Sequence, residues 1–218
     1  MEEVEDRPQL LYVFDPLCGW CYGFHEVMER IETSYGKQFE FQVLTGGMVR
    51  GDRVGPIGKV AAYIKEAYKT VEQRTGVTFG EGFLTNILAP GTAVFDSDPP
   101  SKAFVAIKHH APDRQVAIAS AIQKVIYQDG MEPAKPASYQ AVAQEFGLDP
   151  NELLRIMQAE STMEAIEMEY NMSAQLGVSG FPTVFLFTQT HRFLLARGYV
   201  SYEELDESIG QAFAYMQS

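Results

Sequence analysis

Residues 10–24 read Leu10-Leu11-Tyr12-Val13-Phe14-Asp15-Pro16-Leu17-Cys18-Gly19-Trp20-Cys21-Tyr22-Gly23-Phe24, and the fold is decided here. Leu10 to Phe14 is an unbroken apolar run after Pro8, the pattern of a strand buried on both faces of a mostly parallel sheet. Phe24, Val27, Met28, Ile31 and Tyr35 follow at helical spacing, and Gly36 supplies the residue past the helix end. The chain's two cysteines therefore fall where a strand turns into a helix. Phe39, Phe41 and Val43 then alternate with polar residues as a half-buried strand, closed by Gly46-Gly47. Together these segments make a βαβ unit.

From about Met48 to Gly177 the period is helical. Val60, Ile64, Ala67, Tyr68 and Val71 form one apolar stripe, and Ile118, Ile122, Val125 and Ile126 another. Asp149-Pro150-Asn151-Glu152 places an N-cap, a proline at the first helical position and a carboxylate in order, and Ser161-Thr162-Met163-Glu164 reads as a capping box. The proline-rich stretches Asp96 to Pro100 and Glu132 to Pro136 read as linkers. Strand signals return at Thr183 to Phe187 and at Phe193-Leu194-Leu195, followed by a helix that starts at the capping box Ser201-Tyr202-Glu203-Glu204 and buries Leu205, Ile209 and Phe213. The order βαβ, helices, ββα divides the chain into a discontinuous domain, residues 1–50 and 176–218, and an all-helical insertion, residues 51–175.

The chain has 218 residues, 46% of them hydrophobic, so a sizeable core is available without staples. Its formal net charge of −12 repels phosphate backbones, and no basic stripe overrides that, so nucleic acid is not an expected partner. No apolar run approaches the ~20 residues of a membrane span. Met1 to Asp6 is acidic and lacks the basic and apolar regions of a secretory leader, so a cytoplasmic protein is expected.

In a reducing compartment a cysteine pair this close is rarely a staple, because the short loop removes little unfolded-state entropy. Thiol–disulfide exchange, by contrast, needs a thiolate, and the free amides and dipole at a helix start stabilise negative charge there. Cβ atoms at i and i+3 of a regular helix lie ~5–6 Å apart, whereas a disulfide wants ~3.5–4.5 Å, so the first cysteine belongs in the flexible cap. Cys18 is then the exposed attacking thiol. Cys21, one turn in, points toward the protein, donates its S–H to the Cys18 thiolate and resolves the mixed disulfide. Gly19 allows the tight cap, and Trp20 offers a flat apolar surface without positive charge. Cys18, Cys21 and His25 also spell Cys-x2-Cys-x3-His, but a closed zinc site needs four ligands and no further cysteine exists. His25 reads as a solvated helix residue.

Far downstream, Gly177-Val178-Ser179-Gly180-Phe181-Pro182-Thr183 stands directly before an apolar strand. Proline there removes a ladder donor, and a cis bond before it would leave the Phe181 backbone open to an extended peptide.

These features resemble the thioredoxin superfamily, and within it the DsbA-like proteins that carry a helical insertion, over nearly the whole chain. Asp15 to Phe24 is similar to the signature of the leaderless FrnE-like, or predicted protein-disulfide-isomerase, branch. The resemblance implies an α/β thioredoxin-like fold, with Cys18 as nucleophile, Cys21 as resolving thiol and Pro182 as a cis-proline facing them. Gly19, Trp20 and Asp15 would tune the site, and Phe181, Pro182 and Thr183 would bind substrate. It further implies protein or peptide disulfides as substrates, no metal and no bound cofactor, with glutathione or a thioredoxin system as electron source. Two departures stand out. Many relatives have a buried acid six residues before the first cysteine, where this chain has Tyr12; its nearest acid, Asp15, reads as a turn or cap residue. The oxidant branch carries histidine where this chain has Trp20, so a strongly oxidising potential does not carry over.

Two other functions fit the same residues. One is a glutathione-dependent isomerase or transferase of small aromatic molecules, with the insertion roofing a pocket lined by Tyr22, Tyr63 and Tyr68. The other is a non-enzymatic module, either a zinc-bridged dimer or a peptide-binding chaperone. Met157, Met163, Met168 and Met172 could line an adaptable surface, but the spacing of Met168 and Met172 packs them in the core. His109-His110 suits a helix end. No P-loop surrounds Gly58-Lys59, and no Gly-x-Ser-x-Gly elbow occurs.

Overall fold

A computed structural model describes residues 7–216; the acidic stretch 1–6, read above for a leader, lies outside them. Strand β1 (Gln9–Phe14) leads through a four-residue turn into α1 (Gly19–Tyr35), and β2 (Glu40–Thr45) returns parallel to β1, pairing Gln9 with Glu40 through Phe14 with Thr45. After the insertion, β5 (Thr183–Phe187) pairs antiparallel with β1, and β6 (Arg192–Arg197) antiparallel with β5, giving the order β2-β1-β5-β6. The sheet is therefore mixed rather than mostly parallel. A central strand covered on both faces reads as an apolar run whichever way its neighbours point, so the sequence of β1 does not distinguish the two.

Alternation along β1 sends Leu10, Tyr12 and Phe14 into the main core, with α1, and Leu11 and Val13 to the opposite face, with Leu44 and Phe185. The closing helix α8 (Tyr202–Met216) starts where expected: the Ser201 amide donates to Glu204 at 2.7 Å and the Glu204 amide to Ser201 Oγ at 3.2 Å. Gly36 ends α1 at φ −60°, without the left-handed turn that a terminal glycine suggests.

The insertion holds α2 (Ala61–Thr75), α3 (Asp98–His110), α4 (Gln115–Tyr127), α5 (Gln140–Glu145), α6 (Pro150–Met157) and α7 (Glu160–Gln175). It is helical except for a two-residue ladder between β3 (Gly55–Pro56) and β4 (Val94–Phe95). Asp96 to Pro100 is no linker. The Asp98 amide donates to the Asp96 carboxylate at 3.0 Å, and Pro99 and Pro100 occupy the first turn of α3, where no intrahelical donor is missed. The box at Ser161 does not form either: Thr162 Oγ1 donates to the Ile156 carbonyl at 2.6 Å, and Ala159 rather than Ser161 caps the helix, which begins two residues earlier than the box implies.

Met168 and Met172 are 64% and 44% exposed, not packed in the core. The inward stripe of α7 is Thr162, Ile166, Glu169, Tyr170 and Ser173, mostly polar; Thr162, Glu169 and Tyr170 find partners on neighbouring segments. Glu169 accepts from the Thr45 amide at 2.8 Å and pairs with Lys108 of α3, whose ammonium also donates to the Val43 carbonyl at 3.0 Å. That buried ion pair ties α3 and α7 to the end of β2. His25 is buried, not solvated: its ring stacks on Tyr22 at 5.4 Å and its Nδ1 meets the Tyr22 carbonyl.

Candidate active site

The turn between β1 and α1 is organised by Asp15, a fully buried carboxylate. It accepts from the Leu17 amide at 2.9 Å, the Met48 amide at 2.7 Å and Ser97 Oγ at 3.1 Å. Asp15 is thus a turn residue, as its sequence context suggests, and also a clamp that holds the β2 exit and the start of α3 against the cysteine turn. Burial raises its carboxyl above the usual range, and the donors from Met48, Leu17, Ser97 and Gly47 work against that rise.

Cys18 is the N-cap of α1, in extended conformation (φ −89°, ψ 110°), and its sulfur accepts from the Cys21 amide at 3.4 Å. An orphan amide at the start of α1 therefore faces Sγ. Cys18 is only 6% exposed, so the thiol expected to attack is recessed rather than open. Cys21 is fully buried. Burial pushes its thiol well above the ordinary range, and the bond to Cys18, the Cys18 charge and Asp15 push the same way. Both cysteines are free thiols.

Phe181 reaches the same point although 163 residues separate it from Cys18: Cys18 Sγ donates to its carbonyl at 3.5 Å, and the Phe181–Pro182 bond is cis. The loop is fixed on both sides of the proline, with Thr183 Oγ1 donating to the Gly180 carbonyl at 2.8 Å and the Gly198 amide to the Pro182 carbonyl at 2.7 Å. Gly46 finishes the job. A Cβ there would stand 2.0 Å from the Phe181 ring, so the ring lies where only a glycine leaves room. Gly46→Ala is expected to push the ring away and take the carbonyl from Cys18. Turnover of a peptide disulfide should fall about tenfold, the loss of roughly one well-made interaction, while alkylation of Cys18 by iodoacetamide changes far less. Parallel kinetics of the two reactions check this.

Trp20 is half-buried beside Tyr199, with ring centroids 6.2 Å apart, and the Arg74 guanidinium stands 5.8 Å from its ring. A cavity of about 290 Å³ opens on Cys18 between Trp20 and α2. Its wall includes Met48, Tyr63, Tyr68, Phe79, Phe83 and Tyr127, and no charged residue. The α2 stripe of the sequence thus serves as cavity wall rather than as ordinary core. Tyr22 is not part of it; its hydroxyl donates to the Thr78 carbonyl at 3.0 Å, outside the cavity lining. The Cys-x2-Cys-x3-His triplet does not converge, because His25 turns to Tyr22.

One functional side chain escaped the sequence reading. Gln123 on α4 donates through Nε2 to the carbonyls of both Asp15 and Cys18, at 3.3 Å each, so the insertion holds the cysteine turn directly. The available signal was a polar residue inside the apolar stripe Ile118, Ile122, Val125 and Ile126.

Curated relatives include the ClpXP adapter protein SpxH of Bacillus subtilis, 20% identical over 92% of this chain and 66% of that protein. The SpxH of Halalkalibacterium halodurans is 21% identical over 83% of this chain and 59% of that one. The chain thus spans about three fifths to two thirds of the length of these relatives. Among solved structures, the cytosolic disulfide reductase DsbM of Pseudomonas aeruginosa superposes with a TM-score of 0.79 at 25% identity, covering 96% of this chain and 100% of that one. A candidate protein disulfide isomerase of Nitrosomonas europaea superposes with a TM-score of 0.84 at 24% identity, covering 96% and 99%. A 2-hydroxychromene-2-carboxylate isomerase shares the fold at a TM-score of 0.65 and 16% identity, covering 95% of both chains. The family model for the DSBA-like thioredoxin domain matches residues 9–210, a span that takes in the cysteine turn, the insertion and the Phe181 loop, and the chain belongs to that family.

Proposed function

We propose that the protein is a thiol–disulfide oxidoreductase that reduces or rearranges disulfides in peptides and proteins. The observation that carries this is the recessed Cys18 sulfur, held between the Cys21 amide and the Phe181 carbonyl above a buried, protonated Cys21. The Cys18 thiolate attacks one sulfur of the substrate disulfide, and the other leaves as a thiolate that takes up a proton. Cys21 then gives up its proton, its thiolate attacks the Cys18 sulfur, and the Cys18–Cys21 disulfide forms as the second substrate thiol departs. Two electrons pass from the protein dithiol to the substrate, with no bound cofactor. Glutathione or a thioredoxin-type dithiol returns them. An extended substrate chain lies along the Phe181 backbone, with Pro182 and Thr183 beneath it, and places an apolar side chain in the cavity. Gly19, Trp20 and Asp15 set the geometry and field of the cap. The Pseudomonas reductase supports the reducing direction and a cytoplasmic setting, and the sequence from Asp15 to Phe24 supports the FrnE-like branch.

The cavity favours a second reading, glutathione-dependent isomerisation of a small aromatic molecule, the kind of reaction named for one structural neighbour. A peptide with one internal disulfide flanked by phenylalanine separates the two when turnover is followed with dithiothreitol as reductant. Turnover that requires both thiols supports the oxidoreductase. Glutathione binding that survives Cys21→Ser, with no peptide turnover by the wild type, overturns it in favour of the isomerase.

A further inference from the structure

Among the described residues two buried hydroxyls make no well-formed hydrogen bond, Ser101 and Tyr12; Ser101 faces Tyr170, and Tyr12 faces the Cys21 sulfur. Its place is fixed twice over. On the backbone it pairs with Val43 of β2 and Val184 of β5; on the side chain its ring packs 5.6 Å from Phe14 and 5.8 Å from Phe24. The hydroxyl lies next to Cys21, which acts on it more strongly than Cys18 does. A buried hydroxyl without a well-formed bond is unfavourable to folding, and phenylalanine would fill the same space without that defect.

Cys21 stands within hydrogen-bonding reach of that hydroxyl, but a neutral thiol is a weak acceptor, so the contact becomes a strong bond only when Cys21 ionises. When Cys21 ionises to attack the mixed disulfide, a negative sulfur forms in a site that burial and Asp15 both make hostile to charge, with the Asp15 amide as a donor. A donor that finds a strong acceptor only at that moment stabilises the transition state more than the resting dithiol. We infer that the Tyr12 hydroxyl is the hydrogen-bond donor of the resolving step, pointing at the Cys21 sulfur as it becomes a thiolate. Tyr12 keeps its own proton throughout, because burial and the neighbouring sulfurs hold its phenol well above the ordinary range.

This inference rests on the proposed dithiol chemistry only in requiring Cys21 to attack Cys18, so a small reagent tests it. The Cys18 thiolate attacks dithiobis(nitrobenzoate) and releases one coloured nitrothiobenzoate, leaving a mixed disulfide. Cys21 loses its proton to water, attacks the Cys18 sulfur, and expels the second. In Tyr12→Phe the second phase is expected to slow about tenfold and its pH midpoint to rise by about one unit, the pH equivalent of that factor, while the first phase changes less than twofold. The titratable groups acting around Cys21 are Tyr12 on β1, Asp15 at its end, Cys18 at the cap and Tyr127 on α4. Only Tyr12 is altered. Thermal stability should stay level or rise. An unchanged second phase and pH midpoint overturn the inference, and so does a large drop in melting temperature, which would give the hydroxyl a structural partner. Should Tyr12→Phe not fold, 3-fluorotyrosine at position 12 keeps the ring and makes a stronger donor; a second phase that fails to accelerate is equally fatal. Failure of the proposed function looks different: both phases intact, but no turnover of peptide disulfides.

Discussion

Cys18→Ser is expected to lower turnover of a peptide disulfide by at least roughly a thousandfold, since on the proposed function the Cys18 sulfur forms the covalent intermediate. A serine hydroxyl at the same cap receives the same Cys21 amide but does not ionise near neutral pH. Cys21→Ser loses a comparable factor by a different route. The first attack proceeds, the mixed disulfide cannot be resolved internally, and the adduct accumulates until an outside thiol releases it. Intact-protein mass spectrometry after brief exposure to the peptide should show one substrate adduct in Cys21→Ser and none in Cys18→Ser. Adducts of equal abundance in Cys18→Ser would reverse the two roles. Neither variant should lose much stability, because serine is close to cysteine in size and both positions have polar neighbours in reach.

Far from the sulfurs, Glu169→Leu is expected to destabilise the fold by about 3–5 kcal/mol, the usual penalty for leaving half of a buried ion pair behind. Lys108 would keep its charge in a site where both side chains are about a tenth exposed, with only the Val43 carbonyl as acceptor, and the Thr45 amide would lose its partner at 2.8 Å. For a chain of this length each kcal/mol shifts the melting temperature by about 2–4 °C, so a fall of roughly 10 °C is expected by calorimetry. Adding Lys108→Met should recover a good part of it, since removing both charges removes the uncompensated one. Equal melting temperatures for the wild type and Glu169→Leu would show that the pair holds nothing.

The contrast between these two sites explains what could be read from the sequence. The strand, cap and helix around Cys18 are local, decided within fifteen residues by apolar run, turn and periodicity, so the cysteine turn was legible. The Phe181 loop was legible only because a proline before an apolar strand is unusual enough to be noticed and the cysteines supplied a reason. Gly46 read as a strand stop, yet its real constraint is a ring 135 positions downstream, which no local pattern encodes. Gln123 and the Ser97 hydroxyl were hidden the same way, as ordinary residues whose partners lie across the fold. Met168, Met172 and His25 were misread for one reason. Periodicity tells which residues share a helix face, but not whether that face turns inward, and on α7 the inward face is the polar one because Lys108 waits for Glu169.

The 163-residue gap between Cys18 and the carbonyl that covers it also matters before the protein is complete. Ribosomes add about 5–20 residues per second, so on the order of ten to thirty seconds pass between the emergence of the thiols and that of the Phe181 loop. For that interval the nascent chain presents Cys18 without the Phe181 carbonyl that meets its sulfur in the finished protein. Premature oxidation of most proteins in such a window would scramble their pairing. Here the sequence has two cysteines and so a single internal bridge between them, which is the oxidised end of the proposed cycle. On the proposed function, a molecule oxidised during synthesis is thus released in a state that a dithiol reductant can return to service.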